Sequence, residues 1–125
     1  MEIFSKLKGL TRGVQEEVDR VLNSVEMFNV KNHLVSTFSG GMRRRISLAI
    51  SLISNPPILI LDEPTTGMDP KTRRNIWSLI QKIKKKRAII MTSHLMLEAD
   101  SLSDRIMVIV KGEITAIGTP LFLKN

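Results

Sequence analysis

Cysteine and tyrosine are both absent from the 125 residues, and tryptophan occurs once. Without cysteine, disulfides and thiolate metal sites are excluded, so redox chemistry does not decide the compartment and a cytosolic chain is the default expectation. Aromatic residues make up only 4% of the sequence, which leaves few platforms on which single-stranded nucleic acid could stack. No apolar run approaches the ~18 residues that a membrane-spanning helix needs. The longest, Ile58 to Leu61 and Ile106 to Val110, are strand-sized. A secretory apolar region is not expected after Met1, because Lys6 and Lys8 interrupt the opening. One further absence bears directly on chemistry. No Gly-Lys dipeptide occurs, so the chain holds no phosphate-binding loop of the form Gly-x-x-x-x-Gly-Lys-Ser/Thr.

What is present suits one small domain. Hydrophobic residues make up 42% of the chain, enough for a core. The formal charge of +7 comes largely from Arg43-Arg44-Arg45, Arg73-Arg74 and Lys82 to Arg87. Such a charge can serve nucleic acid, anionic lipid or simple solvation. With so few aromatics, nucleic acid is not the expected partner.

The strongest local signal runs from Leu59 to Pro70, Leu-Ile-Leu-Asp-Glu-Pro-Thr-Thr-Gly-Met-Asp-Pro. Ile58 to Leu61 reads as a strand buried on both faces. It stops on two carboxylates, Asp62 and Glu63, and Pro64 ends the ladder by removing a donor. Open α/β sheets bind ligands at the C-terminal ends of such strands. Acids placed there can hold a hard cation and orient a water, the two requirements of phosphoryl transfer. An isolated Asp-Glu pair is more often an ordinary polar loop, so its neighbours have to decide.

Before this stretch, Ile3, Phe4, Leu7 and Leu10 predict the tail of a helix over residues 1–10. A break follows between Gly9 and Gly13. Val14, Val18, Val21, Leu22 and Val25 predict an amphipathic helix, its start favoured by Glu16, Glu17 and Asp19. Ser39 is a natural N-cap, and Gly40 and Gly41 expose amides in the first turn of the helix it opens. Met42, Ile46, Ala49, Ile50 and Ile53 form its expected apolar face, with Asn55-Pro56-Pro57 as the stop. Part of the Arg43–Arg45 cluster is expected to remain solvated.

After the acids, Asp69-Pro70 reads as N-cap and first residue of another helix. Ile76, Leu79, Ile80 and Ile83 form its apolar face, with Trp77 alongside. Lys84 to Lys86 fall near its C-terminus, where the helix dipole favours cations. A buried strand, Ala88 to Thr92, completes a βαβ crossover. His94 follows that strand, a position usually incidental unless carboxylates converge on the same sheet end. A short helix (Leu95 to Leu102), a strand (Arg105 to Val110) and a Lys111-Gly112 hairpin into Glu113–Ile117 come next. A further helix begins at Leu121.

Three blocks in order, Phe38-Ser39-Gly40-Gly41-Met42, Ile58 to Asp69 and Thr92-Ser93-His94, make the chain resemble one family. It is similar to the C-terminal part of the nucleotide-binding domain of ATP-binding cassette (ABC) transporters. The resemblance implies an α/β fold of the P-loop NTPase (RecA-like) kind. Residues 1–55 would form the helical subdomain with the signature loop and signature helix. Residues 56–125 would form the C-terminal part of the ATPase core. The strand leading into the phosphate loop would be missing from between Ala88–Thr92 and Arg105–Val110, leaving two apolar edges. The phosphate loop, the adenine-stacking aromatic and the Q-loop glutamine have no match; Gln15 and Gln81 are the only glutamines and lie in helical patterns.

The same resemblance assigns roles. Phe38 to Met42 match the signature loop, in which Ser39, Gly40, Gly41 and Met42 would contact ATP held by a second cassette. Asp62 ends the Walker B strand and would hold Mg²⁺. Glu63 matches the catalytic glutamate. Asp69 belongs to the D-loop and would link two nucleotide sites, and His94 matches the switch histidine that contacts the γ-phosphate. ATP and Mg²⁺ are the implied cofactors. The implied partners are a second cassette, the transmembrane domains of a transporter and the missing N-terminal half of this cassette. That places the chain at the cytoplasmic face of a membrane. Gly67-Met68, Arg73-Arg74, Trp77 and the final Gly118-Thr119-Pro120-Leu121-Phe122-Leu123-Lys124 resemble subfamily A, whose members are commonly lipid exporters. Two other readings remain open: a catalytically inactive truncated module that associates with intact cassettes, and a soluble cassette ATPase of translation or DNA repair.

Overall fold

The computed structural model describes residues 1–124 and divides into two compact units, Met1–Thr92 and a second from Ser93 onward. The first holds α1 (Glu2–Leu7), α2 (Val14–Ser24), α3 (Gly40–Leu52), β1 (Ile58–Asp62), α4 (Pro70–Ile83) and β2 (Ala88–Thr92). α1 packs on α2, α2 on α3, and α3 reaches β1. Their shared core is Val18, Val21 and Leu22 from α2, Leu48, Ala49 and Leu52 from α3, and Leu59 and Leu61 from β1. Ile76 and Ile80 contribute from α4.

The three helices are joined largely at the end of α3. Lys8 Nζ donates to the carbonyls of Ile50 (2.7 Å) and Ser51 (3.2 Å), where the helix dipole favours a cation. The Ser54 amide donates to Glu17 Oε1 at 3.0 Å, and Arg20 pairs with Glu17 at 2.7 Å. Hydrogen bonding from Arg20 is the main reason the Glu17 carboxyl titrates below its ordinary range. Asn75 Nδ2 donates to Glu26 Oε1 at 2.8 Å, tying α4 to the loop after α2.

Two sequence expectations need correction here. On α3 the fully buried positions are Leu48, Ala49, Leu52 and, just beyond, Ile53, while Met42, Ile46 and Ile50 are only half-buried. The helix is apolar over a wide arc, so its periodicity does not fix which edge meets the core. The strand Ile58–Leu61 is not buried on both faces. Leu59 and Leu61 are 2% and 5% exposed, but Ile58 and Ile60 are 59% and 76% exposed. β2 alternates in the same way between exposed and half-buried positions. A sheet of two strands with helices on one side covers one face, and the other stays bare.

β1 and β2 pair in parallel, Ile58 with Ala88 through Asp62 with Thr92, with α4 as the crossover. In the second unit, β3 (Ile106–Val110) and β4 (Glu113–Gly118) form an antiparallel hairpin, preceded by α5 (Met96–Leu102) and followed by α6 (Pro120–Lys124). Lys111 (φ 51°) and Gly112 (φ 84°) are both left-handed, as a type I′ two-residue turn requires. The hairpin is as expected from the Lys-Gly pair. Each unit thus holds one two-stranded sheet, β1–β2 in the first and β3–β4 in the second.

Candidate functional site

Parallel register brings the last residue of β1, Asp62, opposite the last residue of β2, Thr92. The Thr92 hydroxyl donates to Asp62 Oδ1 at 2.5 Å and accepts from the Glu63 amide at 3.1 Å. Glu63 itself has φ 48°, a left-handed conformation that costs a residue with a Cβ ~1–2 kcal/mol. The chain turns sharply there. Thr66 Oγ1 donates to Glu63 Oε2 at 2.8 Å, and the Thr66 amide returns to the Glu63 carbonyl at 3.3 Å. Pro64 and Thr65 are buried beneath this turn, while Asp62 is exposed and Glu63 half-exposed. Adjacent acids are thereby held separately, one through its side chain from β2 and one through its own turn.

α3 begins beside them. Ser39 Oγ accepts from the Met42 amide at 3.2 Å, the N-cap that the sequence predicts. Gly40 and Gly41 form the first turn. A Cβ at Gly41 would lie 3.3 Å from the Gly67 carbonyl oxygen and 3.8 Å from Met68 Cα, so α3 meets the 66–69 turn backbone to backbone. Asp69 caps α4, its Oδ1 accepting from the amides of Lys71 (3.1 Å) and Thr72 (3.0 Å). Hydrogen bonds from Thr72, its side chain first, hold the Asp69 carboxyl below its ordinary value. Gly40, Arg43, Arg44, Ser47, Asp62 and Pro64 are among the residues lining an open cavity of about 370 Å³ between α3 and β1.

The three arginines of α3 all carry backbone carbonyls. Arg43 Nε donates to Phe38 (3.0 Å), Arg44 Nη1 to Asp62 (3.2 Å) and Arg45 Nη1 to Glu26 (3.1 Å). Arg43 and Arg44 remain exposed while doing so. Arg73 Nη2 likewise donates to the Met68 carbonyl at 3.1 Å. The basic charge here is structural as well as solvated. Among the described residues no group of three or more metal-ligating side chains is gathered. The exposed Asp62 carboxylate at the end of β1 is of the kind that fits Mg²⁺, which keeps several waters and takes one or two carboxylates together with substrate phosphates.

Residues 2–66 match the family model for the ABC transporter. The chain belongs to the ABC transporter family. It is 47% identical to ABC transporter A family member 2 of Arabidopsis thaliana across 100% of this chain and 13% of that protein. It is also 47% identical to the human phospholipid-transporting ATPase ABCA3, across 98% of this chain and 7% of that one. Among solved structures it superposes with a TM-score of 0.82 on a dimeric ATP-binding cassette bound to ADP and Pi in a post-hydrolysis state. That alignment has 26% identity and covers 91% of this chain and 53% of the cassette. A bacterial Atm1-family ABC exporter with ATP bound gives 0.75 at 28% identity, over 86% of this chain and 21% of the exporter. The chain therefore has the ABC ATPase fold of the P-loop NTPases and A-family relatives, of which it spans a small part.

Within the ABC chain, Ser39, Gly40, Gly41, Met42, Asp62, Glu63 and Asp69 all lie in the first unit. His94 lies in the second, exposed, just before α5, where the Leu95 amide donates to Ser93 Oγ at 3.0 Å. Sequence reasoning missed Thr92, Thr66 and Arg44. Equal strand lengths with Thr92 closing β2 were the available signal, since parallel strands ending together place their final side chains side by side.

Proposed function

We propose that this chain forms the carboxylate-bearing part of an ABC transporter ATPase that couples ATP binding and hydrolysis to transmembrane transport. Lipid is the proposed cargo, because the relatives include a phospholipid-transporting ATPase. The observation that carries the reading is the pair of acids at the end of β1. Asp62 and Glu63 follow each other in sequence, yet their carboxylates accept hydrogen bonds from different threonines, Thr92 and Thr66, so each can serve a different task. Asp62 would hold Mg²⁺, largely through water, and the metal would supply charge neutralisation at the phosphates. Glu63 accepts a hydrogen bond from the attacking water and polarises it. His94 contacts the γ-phosphate.

Ser39, Gly40, Gly41 and Met42 present the N-terminus of α3 to the nucleotide of a second cassette, where bare amides and the helix dipole favour phosphate. Asp69 links the two sites. Residues 1–55 act as the helical subdomain facing the transmembrane domains, at the cytoplasmic face of a membrane, and residues 56–125 as the C-terminal part of the core. No phosphate loop occurs in the 125 residues, and in a complete cassette such a loop would hold the β- and γ-phosphates. The second reading is a catalytically inactive module that associates with intact cassettes through its signature loop and D-loop.

A thermal melt with millimolar Mg-ATP tests the proposal. A ligand that binds only the folded state raises the midpoint. The chain alone should show no shift. Mixed with a polypeptide bearing the phosphate loop and its strand, it should gain several degrees and hydrolyse ATP, and Glu63→Gln should abolish turnover while keeping the shift. A shift without hydrolysis in the wild-type mixture would favour the inactive module.

A further inference from the structure

Two successive acidic residues at a strand end would share one local environment unless something outside the turn told them apart. Thr66 reaches Glu63 from three residues away and belongs to the same turn. Thr92 is a long-range contact to both acids, coming from the neighbouring strand across the Asp62–Thr92 register pair, whereas Arg44 reaches only the Asp62 carbonyl among the bonds described above. A hydroxyl has one hydrogen to give and two lone pairs. Here the hydrogen goes to Asp62 Oδ1 at 2.5 Å and a lone pair takes the Glu63 amide at 3.1 Å. Rotation of a carboxylate about its last bond is otherwise broad, so a short, charge-assisted bond to one oxygen fixes where the other points. The amide bond fixes the peptide on which the chain reverses into its left-handed residue, Glu63 at φ 48°. Valine would fill the same strand position with the same branching and could make neither bond.

We propose that Thr92 is a positioning residue for hydrolysis, orienting the Asp62 carboxylate and anchoring the Glu63 backbone so that the two acids diverge. The inference rests on the assignment of Asp62 to the metal and Glu63 to the water. Thr92 acts through both and touches neither nucleotide nor metal. Groups that orient a metal-holding residue commonly change metal affinity or activity by ~10–100-fold when removed.

The test compares Thr92→Val, Thr92→Ser and Asp62→Asn in the complex with the phosphate-loop polypeptide. Three quantities are read: amide hydrogen exchange at Glu63, the Mg²⁺ concentration for half-maximal hydrolysis, and kcat against KM for ATP. Thr92→Val should lose protection of the Glu63 amide, raise the Mg²⁺ requirement about tenfold and lower kcat by a similar factor. Its KM for ATP should hold, because the nucleotide contacts remain. Thr92→Ser should restore most of each. If Asp62→Asn abolishes the Mg²⁺ response while Thr92→Val behaves as wild type, the positioning role is overturned and the carboxylate assignment stands. If Asp62→Asn leaves the Mg²⁺ response intact, the carboxylate assignment itself fails and the inference falls with it. Unchanged exchange at Glu63 in Thr92→Val also overturns the proposal, whatever the rates.

Discussion

Gly41 sits where two backbones meet, with room for a hydrogen and little more. A methyl group there would press on the Gly67 carbonyl at 3.3 Å, tighter than ordinary contact. Alanine gains up to ~1 kcal/mol of helix propensity over glycine, while overpacking costs ~1–3 kcal/mol. These terms cancel only in part, so Gly41→Ala should destabilise by up to about 2 kcal/mol in urea denaturation. It should also displace the Gly67–Asp69 turn and weaken nucleotide-dependent association with a second cassette, read by sedimentation. Asp69 offers a pH handle at the same junction. Its carboxyl is depressed in the folded chain by the Thr72 and Lys71 hydrogen bonds. The unfolded value is about 3.9, so the stabilisation is complete above about pH 4 and is lost as pH falls through the lower native value. Asp69→Asn should therefore lower the urea midpoint at pH 7 and narrow its deficit towards pH 3. The Ser39 and Asp69 caps were legible in the sequence, because capping is local. Thr92 was not. Its meaning depends on which residue stands opposite, and pairing register is a long-range property.

β1 and β2 carry their consequences on one bare face. Ile60 and Ile90 are register partners and are both exposed, at 76% and 61%. Each strand also has an outer edge that no other described strand pairs. Bare edges beside exposed isoleucines are a recognised route to association. The isolated chain should self-associate in sedimentation velocity, and Ile60→Lys with Ile90→Lys should reduce that without lowering the melting midpoint. A sharp cooperative melt from a monomeric wild-type species would contradict the expectation. Sequence patterning identified β1 and β2 as strands because their apolar runs have the right length and joints. It misjudged their burial for a physical reason: a continuous apolar run records a sheet meant to be covered on both faces, and only one cover is present here. α3 shows the same limit in helical form, its wide apolar arc giving the element but not the edge that packs.

Taken whole, the chain distributes its stability unevenly. The unit up to Thr92 buries a core drawn from three helices and β1. The unit from Ser93 has about thirty residues, below the ~40 at which unaided domains usually become stable. Met107, Ile109, Ile114, Leu121 and Phe122 are exposed in it. Amide exchange should accordingly be faster throughout β3 and β4 than in α2, α3 and α4, and should slow in both regions when the phosphate-loop polypeptide is added. Family membership was legible because its motifs are short and ordered. What composition could not reveal is how much of each unit's apolar surface finds cover.

Trp77 has a use that follows from its being alone. It is the chain's single tryptophan, half-buried on α4, two turns beyond the Asp69 cap, and no tyrosine competes with it. Ultraviolet emission from this protein is therefore a one-site optical signal. Its colour and anisotropy report on the helix that Asp69 caps, so changes in the surroundings of that helix can be followed in real time without attaching a dye.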